Sequence, residues 1–247
     1  MREEIAQIEK VHTHDIVETS RDANVVPCRC VFCHKCNGEG KVIHHKARLV
    51  TKGFKQQFRV DYHETFAPTV WPATLHLLLA VAAQKGSVVV QADAKNTYLH
   101  GTLEPNEIIY MDLPPQYSLF HQIPTNLAKK SLVCQLWRPL YGSKQGANQF
   151  QKFLVEVMTT LGFTVCSVDE AIFYKFNPDG SYIIVPTATD NFSIITNSNK
   201  SANYFQDELK KHVKLVRLGP ISWLLRTTVE HNLEKHLIIL GQEAFIG

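Results

Sequence analysis

No stretch of this sequence is apolar for long enough to cross a bilayer: the longest uninterrupted run is Leu77 to Ala83, against the ~20 residues a membrane-spanning helix needs. The N-terminus lacks an apolar core too. Arg2 to Val11 is an acidic, amphipathic stretch, which predicts no secretory signal. An excess of one charge is missing, because 26 Lys and Arg against 23 Asp and Glu leave only +3 over 247 residues. The balance alone therefore announces no polyanionic partner, and any such partner must be argued from how the cations are distributed. The six cysteines form no evenly spaced framework: four crowd into residues 28–36, while Cys134 and Cys166 stand alone, unlike a small secreted scaffold held by disulfides. Internal repeats, low-complexity segments and linkers that would divide the chain are absent as well. What remains is 45% hydrophobic and 20% charged, an ordinary globular composition with enough chain for one large or two small cores. The expected location is intracellular, cytoplasmic or nuclear, with no membrane attachment.

Periodicity and turn residues organise the chain. A hairpin is predicted from an apolar run at Val25 to Phe32, a turn at Asn37-Gly38-Glu39-Gly40 and a return strand at Lys41 to Val50. Pro72 opens a helix over Ala73 to Lys85, with Leu75, Leu78, Leu79 and Ala82 on one face and Gly86 as its stop. Val88 to Ala92 reads as a short buried strand that delivers Asp93 at its end. Residues 103–140, rich in Pro and polar residues, suggest short strands and loops. Phe150, Phe153, Leu154 and Met158 mark a helix over Gln145 to Leu161 closed by Gly162. A meander follows: Ala171 to Phe176, a turn at Asn177-Pro178-Asp179-Gly180, Tyr182 to Ala188, a break at Asp190-Asn191, and Phe192 to Thr196. A helix over Ser201 to Val213 and a hairpin of Trp223 to Val229 with His236 to Leu240 complete the reading.

This order can bring two distant carboxylates together. Asp93 and Asp190 each end a buried apolar strand, and paired hard oxygen donors on rigid elements are what a divalent metal needs for phosphoryl transfer. The competing reading is that each is a turn or helix-capping residue. Lys41, Lys46, Arg48, Lys52, Lys55 and Arg59 fall in a segment with no acidic residue, a pattern shared by phosphate-facing surfaces and by merely solvated ones.

Longer strings decide between these readings. Lys46-Ala-Arg-Leu-Val-Thr-Lys-Gly-Phe-Lys-Gln56, followed by Asp61-Tyr-His-Glu-Thr-Phe-Ala-Pro-Thr-Val70, resembles the fingers signature of copia-type retrotransposon reverse transcriptases. Gln91-Ala-Asp-Ala-Lys-Asn-Thr-Tyr-Leu-His-Gly101 is similar to the family's first catalytic motif, and Ile109-Tyr-Met-Asp-Leu-Pro-Pro-Gln-Tyr117 to the loop after it. Leu140-Tyr-Gly-Ser-Lys-Gln-Gly146 resembles the segment lying against template and incoming nucleotide. Leu218-Gly-Pro220 with Trp223-Leu-Leu225 resembles the last palm strands. The matches keep family order from about residue 13 onward.

The resemblance implies an α+β fold, the fingers and palm of a polymerase right hand, with an antiparallel palm sheet packed on helices and the thumb absent. A helical flank at 1–23 would precede a reverse transcriptase domain at 24–247, with fingers at 24–87 and part of 103–144 and palm at 88–102 and 145–247. It implies RNA-directed DNA polymerisation on a primer-template with dNTPs and Mg2+ or Mn2+. Asp93 and Asp190 would hold the metal beside Asn191. Lys46 and Arg48 would meet the triphosphate, Tyr98 would exclude a ribonucleotide's 2′-hydroxyl, and Gln145 would line the nucleotide pocket. Lys52, Lys55 and Arg59 would face nucleic acid. For Tyr98 the competing role is a core aromatic, and for Arg48 a solvated strand residue.

Several residues depart from the family. Its second catalytic motif usually ends in two Asp, whereas this chain reads Ala188-Thr189-Asp190-Asn191. An amide keeps the shape and one acceptor but removes a charge, so weaker magnesium binding and an impaired or inactive enzyme are expected, although some viral RNA polymerases are similar in carrying Gly-Asp-Asn at that tip. Arg226 stands where the family has Gly, and His14 where it has Trp. Two other readings differ in class. One is a catalytically silent nucleic-acid-binding remnant. The other is a small zinc protein using Cys28, Cys30, Cys33 and Cys36 with His34, His44 and His45 nearby, with the first three even-numbered cysteines on one strand face and Cys33 on the other.

Overall fold

The computed structural model describes residues 2–19, 22–36, 41–115, 117, 132–225 and 227–242. In chain order the elements are α1 (Arg2–Lys10), β1 (His14–Glu18), β2 (Val25–Val26), β3 (Cys28–Cys36), β4 (Val42–Thr51), α2 (Pro72–Lys85), β5 (Val88–Lys95), β6 (Ile109–Asp112), β7 (Leu132–Leu136), α3 (Gly146–Thr160), β8 (Thr164–Val165), β9 (Ile172–Phe176), β10 (Tyr182–Ala188), β11 (Asn191–Thr196), α4 (Asn199–Lys210), β12 (Lys214–Pro220), β13 (Trp223–Leu224), β14 (Thr227–Asn232) and β15 (Leu237–Gly241). Short 3-10 turns cover Gly53–Lys55 and Thr97–His100. The architecture is a mixed α+β one, with four helices and several sheets among the described residues.

The chain divides into two compact units, one of residues 1–66 and 98–153, the other of residues 67–97 and 154–247. The first holds the sheet ordered β1-β7-β6-β2 and the β3–β4 hairpin. Its core gathers Ile8 from α1, Val26, Leu49, Ile109, Met111, Cys134, Leu136 and Leu140. Each fully buried aliphatic side chain of this kind contributes about 1.5–3 kcal/mol. The second unit holds an antiparallel sheet ordered β12-β5-β11-β10-β9-β8 and a small one ordered β13-β14-β15. Its core joins Leu75, Leu79 and Ala82 of α2 to Val89, Ile172, Ile195, Ile221, Leu224 and Val229.

The helices start and stop where local chemistry directs. Pro72 begins α2 after the extended Trp71, and Gly86 ends it at φ 61°, its N–H reaching the carbonyls of Ala82 and Ala83. Ser198 caps α4 by accepting from the Ser201 N–H. The predicted helix over Ser201 to Val213 thus begins earlier and stops at Lys210. Phe150, Leu154 and Met158 are buried along α3 as their spacing predicts, and Phe153 is half-buried.

Several strands differ from the sequence reading. The strand expected over Val25 to Phe32 is two: β2 pairs with β6 in one sheet, and β3 runs on to Cys36 in the hairpin. β5 continues past Ala92 to Lys95, so Asp93 lies inside a strand rather than at its end. This extension follows from β12, which pairs with β5 from Lys95 to Val90, with a register shift between Arg217 and Gly219. The strand expected at Trp223 to Val229 is two strands, because Leu224 pairs with Thr227 and the chain reverses there with Leu225 at φ 47°. β1, which pairs with β7 throughout, was not foreseen. The expected turn at 37–40 and Arg226 lie outside the described residues.

Candidate functional site

The carboxylates expected to hold a metal lie in the second unit, on the paired strands β5 and β11. Asn191 is the cross-strand partner of Asp93, so their side chains leave the same face of the sheet. Thr189 and Asp190 form the two-residue turn between β10 and β11, closed by the Ala188–Asn191 pair. Thr189 adopts φ 56°, a left-handed conformation that costs about 1–2 kcal/mol for a residue with a side chain. Its neighbour is held in place nonetheless: the Ala94 N–H donates to the Asp190 carbonyl at 2.8 Å, and the Asn191 side-chain amide donates to Asp190 Oδ1 at 3.1 Å. Strand pairing therefore brings together Asp93, Asp190 and Asn191.

Lys95 completes this group. It lies two residues beyond Asp93, on the same strand face, and its ammonium forms an ion pair with Asp93 Oδ1. That oxygen is buried and receives no directed hydrogen bond. A buried carboxylate oxygen held only by an ammonium, on the strand paired with the one that carries Asp190 and Asn191, offers the hard oxygen donor that a divalent cation takes. The donor set fits magnesium or manganese with two formal negative charges, offset by the lysine. Among the described residues no three His, Cys, Asp or Glu side chains converge as a ready-made metal cage. A separate cavity of about 360 Å³ in this unit is lined by Phe163, Lys175, Ser198, Tyr204 and Phe205 and by none of the three residues above.

The nucleotide-facing candidates lie in the first unit. The Tyr98 ring stands edge-on to Tyr141, 5.2 Å between centroids. A Cβ on Gly146 would come within 3.2 Å of it. The Arg48 guanidinium sits over the Tyr141 ring at 4.6 Å, and its Nε is buried without an acceptor. An arginine stacked this way keeps its fork pre-organised for an anion. Lys46 is two residues before it on β4.

Gln145 is completely buried. It donates to the Asp61 carbonyl at 2.8 Å and accepts from the Gln56 side chain at 3.0 Å, while Gln56 Oε1 accepts from the Lys144 N–H at 2.8 Å. This double link ties the segment at 140–146 to the one at 51–61, together with the Thr51 N–H donating to the Tyr141 carbonyl at 2.8 Å. The backbones meet so closely that a Cβ on Gly53 would overlap the Gly142 carbonyl, and one on Gly142 would overlap that of Thr51. Lys52, Lys55 and Arg59 follow in the same region. The Arg59 guanidinium lies 5.4 Å from the centre of the Phe58 ring, and Arg59 adopts φ 67°. Sequence reasoning missed Lys95 and Gln56. Strand alternation could have found the first; nothing in the sequence pointed to the second.

The cysteine strand separates its thiols. β3 runs unbroken from Cys28 to Cys36, with Cys28 and Cys30 half-buried and Cys33 exposed on the opposite face. Burial pushes the Cys28 thiol up to about 11 and raises that of Cys30, which opposes the thiolate that zinc requires. The side chain of Cys36 lies outside the described residues.

Residues 11–247 match the family model described as Reverse transcriptase (RNA-dependent DNA polymerase). The chain belongs to this family, in the form carried by copia-type retrotransposons. It is 29% identical over 246 residues to the Retrovirus-related Pol polyprotein from transposon TNT 1-94 of Nicotiana tabacum, covering all of this chain and 18% of that protein. It is 32% identical over 163 residues to the corresponding polyprotein from transposon RE1 of Arabidopsis thaliana, covering 66% of this chain and 10% of that protein. It is also similar, at 29% over 201 residues, to the polyprotein from transposon RE2 of the same plant, covering 81% of this chain and 13% of that protein. The chain thus spans less than a fifth of the length of these reverse transcriptase relatives.

Proposed function

We propose that this chain is the RNA-directed DNA polymerase segment of a copia-type element, with the six-stranded sheet as its palm and the β3–β4 hairpin in its fingers. Its nucleotidyl transfer is weakened by Asn191. The observation that carries this reading is the pairing of Asn191 directly opposite Asp93, with Asp190 at the adjoining turn. An amide therefore stands directly across from one proposed metal-holding carboxylate and next in sequence to the other.

Asp93 and Asp190 would hold Mg2+ or Mn2+, which when bound activates the primer hydroxyl and takes up charge on the leaving pyrophosphate. The remaining work falls to the chain's own side chains. Arg48 and Lys46 neutralise the triphosphate of the incoming dNTP. Tyr98, fixed between Tyr141 and Gly146, presents a rigid wall against a 2′-hydroxyl. Gln145 does not face the nucleotide but supports the pocket by positioning its loop, since it is completely buried and its amide is committed to Gln56 and Asp61. Lys52, Lys55 and Arg59 meet the nucleic-acid backbone as cations. On this reading the protein acts inside the cell.

Single-nucleotide primer extension on an RNA template with magnesium or manganese tests the reading. Asn191→Asp is expected to raise extension at least tenfold, and Asp93→Ala to abolish it. Extension that persists in Asp93→Ala would sink the assignment of the metal site. A second reading, a catalytically silent nucleic-acid-binding remnant, is favoured by the six cations between Lys41 and Arg59. It is supported instead if primer-template binds while neither the chain nor Asn191→Asp extends it.

A further inference from the structure

The β3–β4 hairpin carries a group that polymerisation does not use. His34 and His45 are cross-strand partners, and their Nδ1 atoms lie 2.7 Å apart with the rings nearly perpendicular, 81° between planes. Both residues are exposed. Two imidazoles in this contact share one proton when both are neutral, because one Nδ1 must donate and the other accept. For both Nδ1 atoms to ligate one ion, the shared proton must leave and the rings must turn so that each lone pair faces a common point.

Separation decides which ion suits that point. At metal–nitrogen lengths of about 2.0–2.1 Å, two ligands at adjacent corners of a square or octahedron lie about 2.9 Å apart, and two in a tetrahedron about 3.3 Å. The observed 2.7 Å is nearer the first. Tetragonal sites with nitrogen donors are those preferred by Ni2+ and Cu2+.

We propose that His34 and His45 form a bidentate surface site for a tetragonal transition-metal ion, Ni2+ or Cu2+, with water filling the other positions. Among the thiols whose side chains are described, none belongs to the site: the exposed Cys33 is on the other face of β3, and Cys28 and Cys30 are half-buried. It is independent of the Asp93 centre, which uses oxygen donors suited to harder ions.

Equilibrium dialysis of the tag-free full chain against Ni2+ at pH 7.5 tests the site, with circular dichroism to confirm folding of each variant. One ion per chain is expected. His34→Ala and His45→Ala should each weaken binding at least tenfold by removing one arm of the chelate, and Cys33→Ser should leave it unchanged. The proposal is overturned if the native chain binds no Ni2+, if either alanine variant binds as well as the native chain, or if Cys33→Ser alone lowers the affinity. Asp93→Ala should have no effect, and a loss of Ni2+ in that variant would instead locate the ion at the carboxylates and overturn the proposal.

Discussion

Asp93 has two neighbours of opposite consequence: Asn191 across the strand pair and Lys95 two residues along the strand. The first is an uncharged amide that adds no attraction for a cation, and the second carries a charge that would compete with one. Lys95→Met is therefore expected to tighten Mn2+ binding about fivefold, equivalent to the ~1 kcal/mol typical of a partly exposed ion pair. Titration followed by electron paramagnetic resonance reads this directly, and unchanged or weaker affinity would show that the lysine does not oppose the metal. The thiols give a second check at this scale. Burial raises the Cys28 thiol to about 11 and that of Cys134 to about 12. With iodoacetamide at pH 8, Cys33 is expected to be alkylated well before either, as followed by peptide mass spectrometry. Asp93, Asp190 and Asn191 were legible in the sequence because motifs of several residues announced them. Lys95 stood inside one of those motifs, yet its ion pair needed the strand to run three residues further than its apolar run indicated.

Among the elements, helices were the most legible. Gly86 and Gly162 stop α2 and α3 where predicted, both at positive φ. Short strands were less so: β1 has five residues of which four are half-buried, so no clean alternation distinguished it from loop. The burial of Gln145 was hidden for another reason, since its partners Gln56 and Asp61 are more than eighty positions away. That contact also explains the glycines around it. Gly142→Ala combines φ 86° with an overlap on the Thr51 carbonyl, and should destabilise the chain by more than about 2 kcal/mol in urea unfolding. A change below about 0.5 kcal/mol would refute the close approach. In β14, burial lowers the His231 pKa below the ordinary 6.5, and its Nε2 has no partner. The unfolded chain therefore takes up this proton first as pH falls. Stability from this residue is full above about pH 6.5 and is lost as pH drops through the lower folded value. His231→Gln should flatten that part of the stability profile. An identical pH dependence in the variant would assign the loss to other groups.

For the molecule as a whole, a net charge of +3 conceals the segment where six cations stand without an acid. If all six meet phosphates, affinity for primer-template should fall about 10³-fold between 50 and 200 mM salt. Fluorescence anisotropy at several salt concentrations measures the slope, and a flat profile would remove nucleic acid from the list of partners. No described helix is long and apolar enough to cross a membrane.

β5 lies between β11 and β12 in the six-stranded sheet. Its partners come late: Asn191, opposite Asp93, emerges from the ribosome 98 positions after it, and Val216, its other partner, later still. During synthesis Val88 to Ala94 must wait without either neighbour, at a translation rate of about 5–20 residues per second. For those seconds the strand that carries the first carboxylate is an apolar edge, open to pairing with another nascent chain, and crowded ribosomes on one message are where this protein would be most prone to aggregate.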